Sequence, residues 1–391
     1  MPSMNLQTRK PSSFRPAAAI ARSEQVGEPM IRFENVTKAY GSFTAISDLS
    51  LDIHQGEFFS LLGPSGCGKS TMMRMLAGFE SVTSGRILLD GVDLTGMPPN
   101  RRPINMMFQS FALFPHMNVA RNIGFGLKQA RWRKRDIADR VDEMLALVQM
   151  ENFADRKPHQ LSGGQMQRVA LARSLALKPK VLLLDEPLGA LDKKLREETQ
   201  FQLMDVQDRL GLTFIIVTHD QEEAMTVSSR IAVMKDGKLL QVGEPSRIYE
   251  HPANAYVADF IGNVNLLPVR ISATDGELID VTWGNGRNMV IRPQPEDRLS
   301  AGAQKTLVLR PEKIHVSKER PEEAFNINMV EGVVEEISYI GSVSTFHVRL
   351  DDGVLIRAQE ANRLLASRRE IDWDDRVWLS WRAGACVIIE S

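Results

Sequence analysis

Residues 63–70, GPSGCGKS, constrain this chain more than any other stretch, because they admit only one local shape. They fit G-x-x-x-x-G-K-[ST] in full and follow the apolar run 58–62, the strand-then-helix setting such a loop needs. Gly63, Gly66 and Gly68 let backbone N–H groups turn inward around phosphate oxygens, and the start of the next helix adds positive potential. Lys69 is expected to reach the β- and γ-phosphates, and the Ser70 hydroxyl to ligate Mg²⁺. Cys67 stands inside this loop, where a helix N-terminus favours a thiolate; it is read as a small residue that fits a tight turn.

Two further apolar runs, 181–184 and 214–217, are continuous rather than alternating, the pattern of strands buried on both faces of a parallel sheet. The first ends in two acids. Asp185 can hold Mg²⁺ through water, and Glu186, pointing to a different side, is the candidate for orienting or deprotonating an attacking water. His219 follows the second run. Between residues 115 and 150 the pattern is helical and highly charged, and it ends before LSGGQ at 161–165. Ser162, Gly163 and Gly164 open a helix with a hydroxyl and two unobstructed N–H groups, a second anion site in a chain that already has one.

The 391 residues, 43% of them hydrophobic, can bury more than one core. No stretch approaches the roughly 18–20 consecutive apolar residues of a membrane-spanning helix. A net charge of -1 argues against a general nucleic-acid binder, and the basic run 131–135 (RWRKR) reads as a solvated helix face. Cys67 and Cys386 are too few for a disulfide framework and suggest a reducing compartment. Residues 1–30 read as a disordered tail. After about residue 243 short β-like runs take over, with Phe346, Val348 and Leu350 alternating with His347 and Arg349. They suggest a small barrel or sandwich, with a boundary near 244–265.

The order of these motifs resembles the nucleotide-binding subunit of an ABC transporter. The resemblance implies an α/β P-loop ATPase domain at 31–243, with a helical subdomain at about 110–165, and an all-β, OB-like regulatory domain at 244–391. It makes Gly63, Pro64, Ser65, Gly66, Cys67, Gly68, Lys69, Ser70 and Thr71 the loop that binds ATP, and Tyr40 the ring that stacks on adenine. Gln109 becomes the glutamine that touches metal and water, and His219 the switch that senses the γ-phosphate. Ser162, Gly163, Gly164 and Gln165 would bind the γ-phosphate of ATP held by a second copy, giving a head-to-tail dimer. In 189–192 (GALD) Asp192 matches the family pattern, while Gly189 stands where Ser is common, which puts a Ser contribution across that interface in doubt.

Residues 102–129, 191–196 (LDKKLR) and 309–314 (LRPEKI) look most like polyamine importers, putrescine importers above all. The implied partners are two transmembrane permeases and, through them, a periplasmic binding protein, with the chain peripheral on the cytoplasmic side of the inner membrane. Phe111, Phe114 and Met117 are candidate permease contacts, with core packing as the competing reading. The rivals are a sugar, sulfate or iron importer of the same branch, and a soluble ABC-type ATPase of translation or DNA repair.

Overall fold

The computed structural model describes residues 28–189, 191–273, 277–295, 299–363 and 370–390. The expected tail therefore lies outside the described residues except for its last three positions, of which Met30 is buried.

Strands β1 (Ile31–Tyr40) and β2 (Phe43–Ile53) form a hairpin, and β3 (Phe58–Leu62), buried throughout, leads into the glycine loop and helix α1 (Lys69–Ala77). Strands β4 (Ser84–Leu89) and β5 (Val92–Asp93) return to β1, giving an antiparallel sheet in the order β2-β1-β4-β5. After β6 (Ile104–Met107) come three helices, α2 (Val119–Gln129), α3 (Lys134–Leu147) and α4 (Gly163–Ala176). The chain then runs through β7 (Val181–Asp185), α5 (Lys193–Leu210), β8 (Thr213–Thr218), α6 (Gln221–Val227), β9 (Arg230–Lys235) and β10 (Lys238–Gly243).

These strands build a second sheet, β10-β9-β3-β8-β7-β6, parallel except for β10 at one edge. Successive side chains of a strand point to opposite faces, so each apolar run feeds two cores. Phe59, Leu61, Leu183, Ile215 and Val217 pack with α1 and the antiparallel sheet. Phe58, Leu182, Leu184, Phe214 and Ile216 pack with the helices. This explains why 181–184 and 214–217 carry no alternation.

Helices α7 (Pro245–Glu250) and α8 (Ala255–Phe260) lie against the first unit: Ile248, Val257 and Ile261 share a cluster with Leu62, Ala224, Ile231 and Val233. Among the described residues the β-rich remainder has ten strands, β11 (Asn265–Ala273), β12 (Ile279–Trp283), β13 (Arg287–Ile291), β14 (Gln304–Leu309), β15 (His315–Ser317), β16 (Ile327–Tyr339), β17 (Val343–Leu350), β18 (Leu355–Ala361), β19 (Arg376–Arg382) and β20 (Cys386–Ile389). They form two five-stranded antiparallel sheets, β13-β12-β11-β14-β20 and β15-β19-β16-β17-β18. One core joins both sheets, with Trp283 and Trp381 edge-on at 6.5 Å.

The seam between the units is polar and specific. Buried Arg310 donates to the carbonyls of Tyr249, Ala258 and Asn263 at 2.9 to 3.1 Å and stacks on the Tyr249 ring. The Tyr249 hydroxyl donates to Glu312 at 2.6 Å, and Lys313 pairs with Glu250. LRPEKI is thus the segment that ties the β unit to α7 and α8.

Candidate active site

Strand register decides where the chemistry-bearing residues emerge. Leu62 lies beside Thr218, Asp185 beside Val217, and Met107 beside Leu184. The residues that follow those strands (Gly63, His219, Glu186 and Gln109) therefore come out along one edge of the parallel sheet. The crevice beyond the carboxyl ends of parallel strands is where α/β proteins place ligands.

The loop 63–68 is tightly built. A β-carbon on Gly63 would lie 2.4 Å from the Met234 carbonyl oxygen and 2.7 Å from the Cys67 sulfur. Gly68 has φ +106, and a side chain there would meet Ile46 and the Ala45 carbonyl. Lys69 is 5% exposed, with its ammonium donating to the carbonyls of Gly63 (2.7 Å) and Pro64 (2.9 Å). Ser65 and Gly66 are exposed, whereas Cys67 is buried and packs within the loop.

Glu186 holds the centre of the edge. Gln109 Nε2 donates to one of its carboxylate oxygens at 3.1 Å, and His219 Nδ1 lies 3.3 Å from the other. Its backbone, at φ +45, is left-handed, a conformation that costs energy in a non-glycine residue and clusters at functional sites. The Glu186 N–H donates to Val217 O at 3.0 Å, which fixes the turn to β8. It is this turn, rather than simple strand alternation, that swings Glu186 away from Asp185.

Burial pushes the Asp185 carboxyl above its usual range, and the neighbouring Glu186 charge adds to the shift, while Arg74 and Lys69 oppose it. A desolvated acid at the lip of a phosphate loop is a site a cation would relieve. Asp185 and the Ser70 hydroxyl are hard oxygen donors and fit Mg²⁺, which usually takes one or two protein ligands and completes its shell with phosphate and water. No cluster of three or more His, Cys, Asp or Glu suited to a metal occurs among the described residues.

The other expected residues lie farther out. Ser162 caps α4: its hydroxyl accepts from Gln165 N at 3.3 Å, and the Gln165 side chain accepts from Ser162 N at 3.0 Å. Gly164 packs closely on α5: a β-carbon there would fall 2.8 Å from the end of the Leu195 side chain, which would have to shift. Asp192 caps α5 by accepting from Leu195 N at 3.0 Å. Tyr40 is 45% exposed at the end of β1, with the Lys38 ammonium 4.7 Å from its ring centre.

Phe111 does not present itself as a docking side chain: it is buried in the helical core. Phe111 and Ala112 both adopt left-handed backbone, and Arg173 of α4 holds their carbonyls at 2.8 Å. The exposed aromatics beside Gln109 are Phe108 and Phe79, whose rings lie 6.1 Å apart. Sequence reasoning also passed over Arg196, which pairs with Asp220 at 2.8 Å next to His219. Its spacing of four from Asp192 on a helix was the available signal.

This edge, with its phosphate loop, acid pair and flanking Gln and His, is that of a P-loop ATPase. Residues 46–189 match the ABC transporter family model, and residues 307–389 match the TOBE domain. The putrescine transport ATP-binding protein PotG of Escherichia coli (strain K12) is 50% identical over 371 residues, 94% of this chain and 97% of that protein. The spermidine/putrescine import ATP-binding protein PotA of Rubrobacter xylanophilus is 48% identical over 371 residues, covering 94% and 96%. Among solved structures, cbiO1 from Clostridium perfringens, part of the ABC transporter complex cbiONQ, superposes with a TM-score of 0.54 at 32% identity, covering 57% of this chain and 91% of that one. The dimeric MJ0796, a bacterial ABC transporter cassette, gives 0.50 at 34% identity, covering 55% and 99%. The chain belongs to the ABC transporter family, as an ATP-binding, ATP-hydrolysing subunit.

Proposed function

We propose that this chain drives a polyamine importer, with putrescine as its principal cargo. The bridge Gln109–Glu186–His219 carries the mechanistic part of this reading. In phosphoryl transfer to water the protein's task is to place the water in line with the γ-phosphate and to stabilise the developing charge. Glu186 accepts from the water, and Gln109 and His219 fix the carboxylate from either side. Lys69, already desolvated and aimed along the loop, meets the β- and γ-phosphates. The loop 63–71 cradles ATP and Tyr40 stacks on the base. Ser70 and Asp185, with Gln109, hold Mg²⁺, which supplies neutralisation of phosphate charge when bound.

The cap at Ser162–Gln165 opens a fourteen-residue helix with free N–H groups, a fit for the γ-phosphate of ATP on a second copy. Two copies then enclose two nucleotides, and closure of the pair works on two transmembrane permeases fed by a periplasmic binding protein. No helix among the described residues is long and apolar enough to cross a membrane. The likeness to import ATP-binding subunits supports a peripheral subunit on the cytoplasmic face of the inner membrane. The cargo assignment is supported by the two named relatives, each matching over 94% of this chain. The sugar, sulfate and iron importers of the same branch are the alternatives to displace.

Replacing Glu186 by Gln tests the central role. ATP affinity should stay within about twofold while turnover falls by roughly 10²–10⁴, the usual worth of a general base. ATP should then trap the closed dimer on size exclusion. Turnover equal to wild type would remove Glu186 from the chemistry.

A further inference from the structure

One chain of contacts outside the reading above ends at Asp220, the residue next to His219. Arg196, on the first turn of α5, uses its two terminal nitrogens in different directions. Nη1 pairs with Asp220 Oδ2 at 2.8 Å, and Nη2 donates to the Leu191 carbonyl at 3.3 Å, in the loop segment 191–192 just before α5. Asp220 is fully engaged: its other oxygen accepts from Glu223 N at 3.1 Å, and its own N–H donates to Thr218 Oγ1 at 2.9 Å. His219 is the residue between Thr218 and Asp220, and its ring reaches Glu186 at 3.3 Å. The imidazole is more than half exposed, so its placement depends on the backbone that carries it.

We infer that Arg196 is a positioning residue that ties the loop segment 191–192 to His219 through Asp220, so that movement of that segment resets the imidazole against Glu186. The planar guanidinium suits the task, because its nitrogens hold two partners in fixed relative orientation, which an ammonium cannot do. The inference rests on the proposed role of His219 and on the loop lying at the contact between two copies. It adds a connection that neither requires: the loop is linked to the imidazole within the same subunit by a charged side chain, not only by the chain running between them.

A double-mutant cycle on the purified full-length chain tests it, with steady-state ATPase, fluorescent-nucleotide affinity and melting temperature measured for each variant. R196Q should lower kcat by about tenfold, with nucleotide affinity and melting temperature nearly unchanged. R196K, which keeps the charge toward Asp220 but holds one partner at a time, should retain more of the rate than R196Q. In the H219A background, adding R196Q should change the residual turnover by less than about twofold, because residues acting through one group are not additive. The same fold-loss from R196Q with and without His219 would overturn the inference, as would a rate loss matched by lost nucleotide affinity. Full turnover in H219A alone would instead remove the underlying role of His219, and the inference with it.

Discussion

Glu223 sits on α6 just behind the switch segment, almost wholly buried, with Thr218 Oγ1 donating to one of its oxygens. Burial raises its pKa to about 7; the Thr218 hydrogen bond pulls the other way, and the like charge of Asp220 adds to the rise. The unfolded chain holds this proton only below about 4.5. Between those two values the folded state binds more protons than the unfolded state, so the contribution of Glu223 to stability declines as pH rises through that window and is level above it. A neutral isostere abolishes the dependence. Scanning calorimetry of Glu223→Gln against wild type should therefore show the variant gaining relative stability from about pH 5 to about pH 8, on the order of 2 kcal/mol. A difference that stays flat with pH would place Glu223 in contact with solvent or a cation. Desolvation raises the Asp185 carboxyl as well, with Arg74 and Lys69 opposing the shift.

Among the elements, α4 does more than present a capped N-terminus. From its last turns Arg173 reaches back to hold the carbonyls of Phe111 and Ala112, both in left-handed backbone. The guanidinium is half-buried, and desolvation lowers its pKa without threatening its charge. Arg173→Met should cost about 1 kcal/mol through the loss of its two hydrogen bonds to these carbonyls, one exposed and one part-buried. Amide exchange should accelerate in 108–114, while the start of α4 keeps its protection. Unchanged exchange there would mean that the strained segment is held by its own packing.

This device was not legible in the sequence. An arginine eight residues past LSGGQ carries no signal of its own, and its partners are carbonyls that any residue could supply. Likewise the Phe- and Met-rich stretch leaves Phe111 open between a permease contact and core packing, and the left-handed turn settles it by folding the ring into the helical core. What could be read were features with a fixed local geometry: the glycine loop after a buried strand, the paired acids closing another, and the Ser cap of α4. The short strand β4, the edge strands β5 and β6 and the helix α5 passed unread. Their side chains lack a clear period, and they are defined by partners distant in the chain.

At the scale of the whole molecule, two cores share one parallel sheet, and a separate β sandwich is fastened to α7 and α8 by the 309–314 segment. Buried Arg310, with three carbonyl acceptors across the seam, makes the join specific rather than merely apolar. A motor of this design delivers work only through its partners. The most direct measurement of the central claim is ATP-driven uptake of radiolabelled putrescine, spermidine and maltose into vesicles carrying this chain with the permeases encoded beside it. The account predicts polyamine uptake, greatest for putrescine, that disappears with Lys69→Ala, and no uptake of maltose. ATP hydrolysis without polyamine uptake, or uptake that survives Lys69→Ala, would contradict it.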